Sequence, residues 1–253
     1  MIKVSVIGSG NVAQHLVKAF SKTTEIELVQ VLSRKKEAIA HLISEDKICT
    51  SFSELKLVDI VILAISDNAI SEVSKNIFLE NQLVVHTSGS MSMDAIDDKH
   101  RKGVFYPLQT FSKLKEVDFR EVPICLEAQN DNDLKMLNSI AQSLSDTIFT
   151  ITSNQRKALH VAAVFVANFV NHLYQIGYEI CSQNELPFDI LKPLIVETAN
   201  KIKSLSPIDA QTGPAKRNDT QTINAHLSFL TDDNQKEIYK LITKSIIDNG
   251  KKL

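Results

Sequence analysis

The sequence predicts an α/β protein in which a doubly wound, mostly parallel sheet is followed by an all-helical region. Two observations support this fold class. Up to residue 152, short β-type segments alternate with helical segments, which is typical of βαβ units. After residue 152 the strand pattern stops and helical periodicity continues to the C-terminal region. We therefore predict two domains, at residues 1–152 and 153–253.

Composition limits the classes of function. The 253 residues are 43% hydrophobic, enough for a sizeable core, and carry a formal net charge of −2. That charge gives no general attraction to nucleic acid or acidic membranes, and no basic aromatic platform is present. Cys49, Cys125 and Cys181 are too far apart for a metal site or a disulfide framework. We expect free thiols, no metal and a cytoplasmic protein without signal peptide or membrane span.

The first twenty residues read as strand, glycine turn and helix. Gly8, Gly10 and Ala13 form a G-x-G-x-x-A motif between an alternating apolar segment and an amphipathic helix. Gly8 permits a tight turn, Gly10 lets a pyrophosphate approach the backbone, and the helix N-terminus attracts phosphates. We predict a dinucleotide site, with a βα turn without ligand as the alternative. Its predicted contact residues are Gly8, Ser9, Gly10, Asn11 and Val12.

The end of the second predicted strand, at residues 25–32, indicates which dinucleotide binds. Folds that prefer NAD place an acidic residue here against the ribose 2′-hydroxyl, but this chain continues with Ser33 and Arg34. An arginine can pair with a 2′-phosphate, and the serine hydroxyl can bind it as well. NADP is therefore predicted over NAD. The alternative is a solvated basic turn at the start of a helix predicted over residues 37–43.

Two further strands end in polar loops. Residues 58–65 form a nearly unbroken apolar run that ends at Ile65 and Ser66, and the next strand ends in His86. Open α/β sheets bind ligands at these strand ends. We therefore predict that Ile65, Ser66 and His86 contact the cofactor and that Ser88 and Gly89 contact substrate. Three more strands are predicted at 103–108, 122–126 and 147–151, with a helix at 131–144 between the last two.

The long helix predicted over residues 154–182 carries a polar stripe. Lys157, His160 and Asn168 lie near one face of a largely apolar helix. Such a stripe faces either solvent or a cavity, because unpaired buried polar groups are costly, and we favour the cavity. Further helices are predicted at 190–204, 220–230 and 234–247. Between them, Arg217 could bind a carboxylate or phosphate of the substrate, or form a surface ion pair.

Five motifs together resemble one known family in order and spacing. They are Gly8-Ser-Gly-Asn-Val-Ala, His86-Thr-Ser-Gly, Tyr106-Pro-Leu-Gln-Thr-Phe, Lys157-Ala-Leu-His-Val-Ala-Ala-Val-Phe-Val-Ala-Asn and Thr212-Gly-Pro-Ala-Lys-Arg-Asn-Asp. The family consists of Rossmann-like proteins with a helical C-terminal domain of unknown function, described as predicted NADP-dependent oxidoreductases. More distantly, the chain is similar to the 6-phosphogluconate dehydrogenase-like superfamily. That similarity implies a substrate between the two domains and a homodimer formed through the helices.

The chain departs from these patterns at two positions. Tyr106 stands where the family commonly has a histidine, so any role of that histidine passes to a phenol or is lost. In the β-hydroxyacid dehydrogenases, a catalytic lysine is followed one turn later by an asparagine. Here Lys157 is followed at that spacing by Val161.

These patterns predict an NADP(H)-dependent oxidoreductase that transfers hydride to or from a small polar carbonyl, hydroxy or imine substrate. Because such a reaction also needs a proton carrier, His86, Lys157 and His160 are the candidate catalytic residues. Gln109 is predicted to close the cleft and, like Asn168, to contact substrate. The alternative is a nucleotide-binding regulatory or scaffold protein without turnover.

Overall fold

The computed structural model describes residues 1–250, which form two compact units. The first unit is Met1–Ala167, and the second begins at Asn168. The predicted fold class, a mostly parallel sheet followed by helices, is confirmed. The change from one compact unit to the next lies in a π-helical turn at Val164–Phe169. The functional division proposed at residues 152 and 153 stays a prediction.

The first unit is built on one eight-stranded sheet. Its spatial order is β3-β2-β1-β4-β5-β6-β7-β8, and neighbouring strands are parallel except for the antiparallel pair β6 and β7. The strands are β1 (Ile2–Ile7), β2 (Ile26–Leu32), β3 (Ile48–Cys49), β4 (Ile60–Leu63), β5 (Leu83–His86), β6 (Arg101–Pro107), β7 (Ile124–Ala128) and β8 (Ile148–Thr150).

Both faces of this sheet are buried, as the unbroken apolar run of β4 predicts. Ile60 and Ile62 belong to one hydrophobic cluster, whereas Val61 and Leu63 belong to another. Successive side chains of a strand point to opposite faces, so the two clusters are the cores above and below the sheet. The chain direction across the sheet reverses at β1, between β2 and β4. In open α/β sheets such a switch point opens a crevice at the carboxyl ends of the strands.

The helices of the first unit cover the sheet. They are α1 (Asn11–Ser21), α2 (Ile70–Lys75), α3 (Asp131–Leu144) and α4 (Ser153–Ala163). The capping box between Thr152 and Gln155 fixes the start of α4. The helix predicted over residues 37–43 is not formed. Only a 3₁₀ turn at Lys36–Ala38 is present there, and Ser33 supports the chain that leads into it.

Within residues 168–250 the second unit contains helices and no strands. The helices are α5 (Val170–Gln183), α6 (Lys192–Lys201), α7 (Pro207–Ala210), α8 (Pro214–Arg217), α9 (Thr220–Phe229) and α10 (Asp233–Gly250). Asp219 caps α9 by accepting a hydrogen bond from the Thr222 backbone N–H at 3.1 Å. Asn218, in the left-handed region at φ 53°, turns the chain between α8 and α9.

The helical stretch Ser153–Gln183 is long and apolar enough to cross a membrane by length and composition. Helices of soluble proteins share this length and composition, so the expectation of a chain without a membrane span stays a prediction. Among residues 1–250, no group of three or more His, Cys, Asp or Glu side chains is placed to hold a metal ion.

Candidate active site

A cleft of about 840 Å³ opens in the first unit at the carboxyl ends of the strands. Its walls come from the loops after strands β1 to β6, with further residues from α1 and α2 and one residue from α4. The predicted site residues that line the cleft are Gly8, Ser9, Gly10, Asn11, Val12, Ser33, Arg34, Ile65, Ser66, Ser88, Gly89, Gln109 and His160. The carboxyl ends of the parallel strands therefore bring together residues that are far apart in the sequence.

The two glycines of the first turn have different roles. Gly8 has φ +131°, and a Cβ there would lie 2.1 Å from the Ala64 carbonyl oxygen. A side chain is therefore excluded both by the backbone conformation and by the neighbouring strand end. Gly10 has φ −73°, and a Cβ there would meet no atom within 4 Å. Gly10 instead leaves the cleft open beside the start of α1.

The N-terminus of α1 fits a bound pyrophosphate. Gly10 offers no side-chain cap, and the first turn of α1 contains no acidic residue. The helix therefore presents backbone N–H groups and its positive dipole end to the cleft without a competing carboxylate. The buried Gln14 amide holds the turn by donating to the carbonyl oxygens of Ser9 at 3.0 Å and Ala38 at 3.1 Å. The Asn11 side chain donates to the Phe111 carbonyl at 2.9 Å.

The turn after β2 carries the basic residues of the cleft. The buried Ser33 hydroxyl donates to the Lys35 carbonyl at 2.9 Å and accepts from the Lys35 backbone N–H at 3.2 Å. Ser33 therefore shapes the turn. Arg34 is exposed and forms no ion pair within the described part of the chain. Arg34 and Lys35 both line the cleft, so this end can take an anionic group.

His86 is buried beneath the loop that follows β5 and does not line the cleft. Its Nδ1 accepts from the Ser88 backbone N–H at 3.2 Å, and its Nε2 lies 3.2 Å from the Ser92 carbonyl. Burial, and then the nearby Arg156 charge, lower the pKa of His86 to about 4. The ring is thus neutral and donates from Nε2 to the Ser92 carbonyl. This geometry shapes the loop and gives no support to the predicted catalytic role.

Arg156, a buried residue of α4, ties the same loop to the sheet, and the sequence patterns did not single it out. Its Nε donates to the Ser88 carbonyl at 3.1 Å, and its guanidinium also binds the Met91 carbonyl and pairs with Glu127. Glu127 in turn accepts from the Ser153 backbone N–H at 2.8 Å. One sequence feature could have pointed to Arg156, namely its spacing from His160. Position 156 lies one turn before His160 on the same helix face.

Three residues meet at the end of the cleft next to α4. Tyr106 Oη lies 3.0 Å from His160 Nδ1, and the two rings pack edge to face with centroids 6.1 Å apart. A Cβ on Gly89 would lie 2.4 Å from His160 Nδ1 and 2.9 Å from Tyr106 Cζ. The missing side chain of Gly89 therefore makes room for the pair. Burial raises the pKa of Tyr106 to about 12.

The remaining predicted residues lie in other surroundings. Lys157 is exposed and does not line the cleft. Asn168 and Arg217 belong to the second unit, where both are exposed. Ser88, by contrast, lines the cleft, and its hydroxyl accepts from the backbone N–H groups of Ser90 at 3.1 Å and Met91 at 3.0 Å, which fixes the loop beside Gly89.

Comparison with known proteins supplies the family. Residues 3–137 match the family model "Semialdehyde dehydrogenase, NAD binding domain", and residues 122–246 match "Domain of unknown function (DUF2520)". A Bacteroides fragilis protein of known structure, named a "putative NADP oxidoreductase", is 40% identical; the match covers 98% of each chain with a TM-score of 0.88. The chain belongs to this DUF2520 family of Rossmann-like proteins. The resemblance expected from the five motifs is thus confirmed.

More distant structures share the fold of this DUF2520 protein. A Thermotoga maritima protein is 22% identical, with 98% of each chain covered and a TM-score of 0.74. A 1-pyrroline-5-carboxylate reductase from Streptococcus pyogenes is 18% identical, covering 100% of this chain and 99% of its own, with a TM-score of 0.67. No curated protein matches the sequence.

Proposed function

We propose that this DUF2520 protein is an NADP(H)-dependent oxidoreductase acting on a small polar carbonyl, hydroxy or imine substrate. The observation that carries the proposal is the composition of the cleft. One end has a glycine turn and two basic side chains, and the other end has a hydrogen-bonded tyrosine and histidine. The name of the Bacteroides fragilis relative supports the same class of reaction. When bound, the cofactor supplies or accepts the hydride.

The residues at the first end fit NADP. The turn from Gly8 to Val12 takes the pyrophosphate, since Gly10 leaves the approach to the α1 N-terminus open. Arg34 binds the 2′-phosphate, and Ser33 holds the turn that presents it. Ile65 and Ser66, after β4, form the wall between the two ends.

At the second end, His160 is the proton carrier of the reaction. It lines the cleft, whereas the other two candidates, His86 and Lys157, do not. Ser88, Gly89 and Gln109 surround the position of the substrate. A half-buried imidazole beside a cleft can donate a hydrogen bond to the oxygen or nitrogen that gains charge during reduction.

Calorimetric titration with NADPH and NADH tests the cofactor assignment. Wild-type protein should bind NADPH more tightly than NADH. Arg34→Ala should weaken NADPH about 10- to 100-fold, because hydrogen bonds to charged groups contribute about 1.5–3 kcal/mol each, and should leave NADH unchanged. Lys36→Ala is the matched control, since Lys36 is exposed but does not line the cleft. Equal weakening of both nucleotides by Arg34→Ala would contradict the 2′-phosphate assignment.

A screen of keto acids and imines with NADPH tests the reaction class. Oxidation of NADPH with at least one substrate, slowed about 10²–10⁴-fold by His160→Gln, is the expected result. NADPH binding without turnover across the panel would instead favour a nucleotide-binding regulatory or scaffold protein.

We also propose a cytoplasmic homodimer formed through the helical unit. Several large apolar side chains of this unit are more than half exposed: Ile190, Leu194, Val196, Phe229 and Leu241. Contiguous exposed apolar surface marks interaction sites, and a dimer interface through this unit would cover these side chains. The cytoplasmic location is supported by the cysteines. The chain has three buried free thiols, which fit a reducing compartment: Cys49, Cys125 and Cys181. Sedimentation equilibrium should give twice the chain mass, and a monomer at micromolar concentration would contradict the proposal.

A further inference from the structure

The Tyr106 hydroxyl has one hydrogen-bond partner among residues 1–250, and that partner is His160 Nδ1 at 3.0 Å. Tyr106 is 8% exposed, so water does not readily replace this partner. Tyr106 comes from β6 and His160 from α4, so the contact depends on the folded first unit. The hydrogen bond between Tyr106 and His160 is therefore formed by the tertiary structure of the cleft.

The hydrogen bond determines where neutral His160 carries its proton. If Nδ1 donated to the phenol oxygen, the buried phenol proton would be left without an acceptor, which is costly. Tyr106 therefore donates to Nδ1, and His160 carries its own proton on Nε2. That Nε2 has no hydrogen-bond partner within the described residues, and the ring lines the cleft.

We propose that Tyr106 and His160 form a two-residue proton relay for the reaction, an inference that rests on the proposed function. During reduction of a carbonyl, the carbon receives the hydride from NADPH and the electron pair of the C=O bond moves to oxygen. The His160 Nε2–H bond breaks as a new O–H bond forms on the substrate. At the same time the Tyr106 O–H bond breaks and its proton moves to Nδ1. To restore the starting state, the Nδ1 proton returns to the phenolate, and His160 Nε2 takes a new proton from solvent in the cleft.

The difference in pKa between the Tyr106 phenol and the product alcohol favours proton transfer from the protein to the substrate. Burial raises the pKa of Tyr106 to about 12, so at neutral pH the phenol carries the proton that it passes to His160. An alkoxide resembles hydroxide in basicity, and the pKa of water is about 15.7. Proton transfer from the phenol to the alkoxide is therefore favourable. The relay is suited to reduction more than to oxidation at neutral pH.

The geometry of the relay depends on Gly89. Any side chain at this position would collide with the imidazole, because the nearest ring atom would be 2.4 Å from its Cβ. Arg156 and His86 hold this loop in place. Arg156 donates to the Ser88 carbonyl, and His86 accepts from the Ser88 backbone N–H. Loop and pair thus form one assembly.

Side-chain ¹⁵N NMR of histidine tests the hydrogen bond directly, without substrate or cofactor. At a pH where the ring is neutral, His160 should be in the Nε2–H tautomer, with its signals assigned from their loss in His160→Gln. Tyr106→Phe keeps the ring packing and removes only the hydroxyl, so His160 should become a mixture of tautomers. A wild-type Nδ1–H tautomer, or the same tautomer in Tyr106→Phe, would overturn the relay.

Kinetics test the proton transfer. Tyr106→Phe should lower kcat about 10- to 100-fold with little change in KM or in NADPH affinity, since proton transfer contributes about 10²–10⁴-fold in enzymes. The matched control is Tyr239→Phe, because Tyr239 Oη also lies 2.8 Å from a histidine Nδ1, that of His226, in the second unit. Unchanged kcat in Tyr106→Phe, or an equal loss in Tyr239→Phe, would overturn the relay. Absence of NADPH binding by wild-type protein would contradict the proposed function, while the tautomer result would still decide the hydrogen bond.

Discussion

The two ends of the cleft are built in different ways. At the cofactor end, Ser33, Arg34 and Lys35 are consecutive residues of one turn, and the glycine turn is a single local motif. At the reaction end, Gly89 comes from the loop after β5, Tyr106 from β6 and His160 from α4. The first end is made of local sequence, and the second exists only because the sheet and α4 bring distant residues together.

This difference determines what supports each end. The glycine turn is held by two side-chain amides: Gln14 donates to the Ser9 carbonyl at 3.0 Å, and Asn11 donates to the Phe111 carbonyl at 2.9 Å. The reaction loop is held by a buried ion pair between Arg156 and Glu127 and by the buried His86. Variants at the two ends should therefore separate cofactor binding from catalysis.

The largest effect is expected at Gly8. Gly8→Ala must place a Cβ 2.1 Å from the Ala64 carbonyl oxygen at φ +131°. Strain and overlap together should lower the free energy of unfolding by about 4 kcal/mol and abolish NADPH binding. Gly10→Ala is the matched variant, because its Cβ meets no atom within 4 Å. It should change stability by less than about 0.5 kcal/mol yet weaken NADPH about tenfold or more.

Denaturant unfolding measures the free energy of unfolding of Gly8→Ala and Gly10→Ala, and calorimetry measures their affinity for NADPH. If Gly10→Ala bound NADPH as wild-type protein does, the pyrophosphate would not lie at this turn.

Arg156→Met should have the next largest effect. Removing the guanidinium leaves Glu127 without its partner and releases the Ser88 and Met91 carbonyls. Loss of one member of a buried ion pair costs about 3–5 kcal/mol. Urea unfolding should show a loss of about 3 kcal/mol, whereas Lys157→Met, one residue along and exposed, should show almost none. Equal effects would contradict the role of the buried pair.

Gly89→Ala should affect the reaction and spare the cofactor. Displacement of His160 should lower kcat about 100-fold, within the usual contribution of a positioned proton carrier, with NADPH affinity unchanged. Because the substitution acts through His160, it should add little to the loss already caused by His160→Gln. Independent, multiplying losses in the double variant would show that Gly89 acts in another way.

A smaller effect is expected from the titration of His86. Its pKa is about 4 in the folded state, against an ordinary value of 6.5, so between these values the unfolded chain binds a proton that the folded chain does not. This contribution to stability is complete above pH 6.5 and is lost as pH falls towards 4. Between pH 7 and pH 5 it should decrease by about 2 kcal/mol. Urea unfolding at both pH values should show this loss in wild-type protein and less of it in His86→Asn.

The same contrast explains how far the sequence alone could lead. The glycine turn, the basic turn after β2 and the fold class were predictable because period, spacing and turn residues encode them locally. Tyr106 was noticed only as a departure from a family pattern, and Arg156 was missed. Helical spacing alone could not decide that Arg156 is buried while its neighbour Lys157 is exposed, because tertiary packing decides it.

The most direct test of the account is an NMR footprint of the two ends. Backbone and histidine side-chain shifts would be recorded with NADP⁺ and with 2′-phospho-ADP-ribose, which lacks the nicotinamide. Both ligands should shift Gly10 and Arg34, whereas only NADP⁺ should shift Gly89 and His160. Nicotinamide-specific shifts confined to other parts of the chain would contradict the assignment of the reaction end.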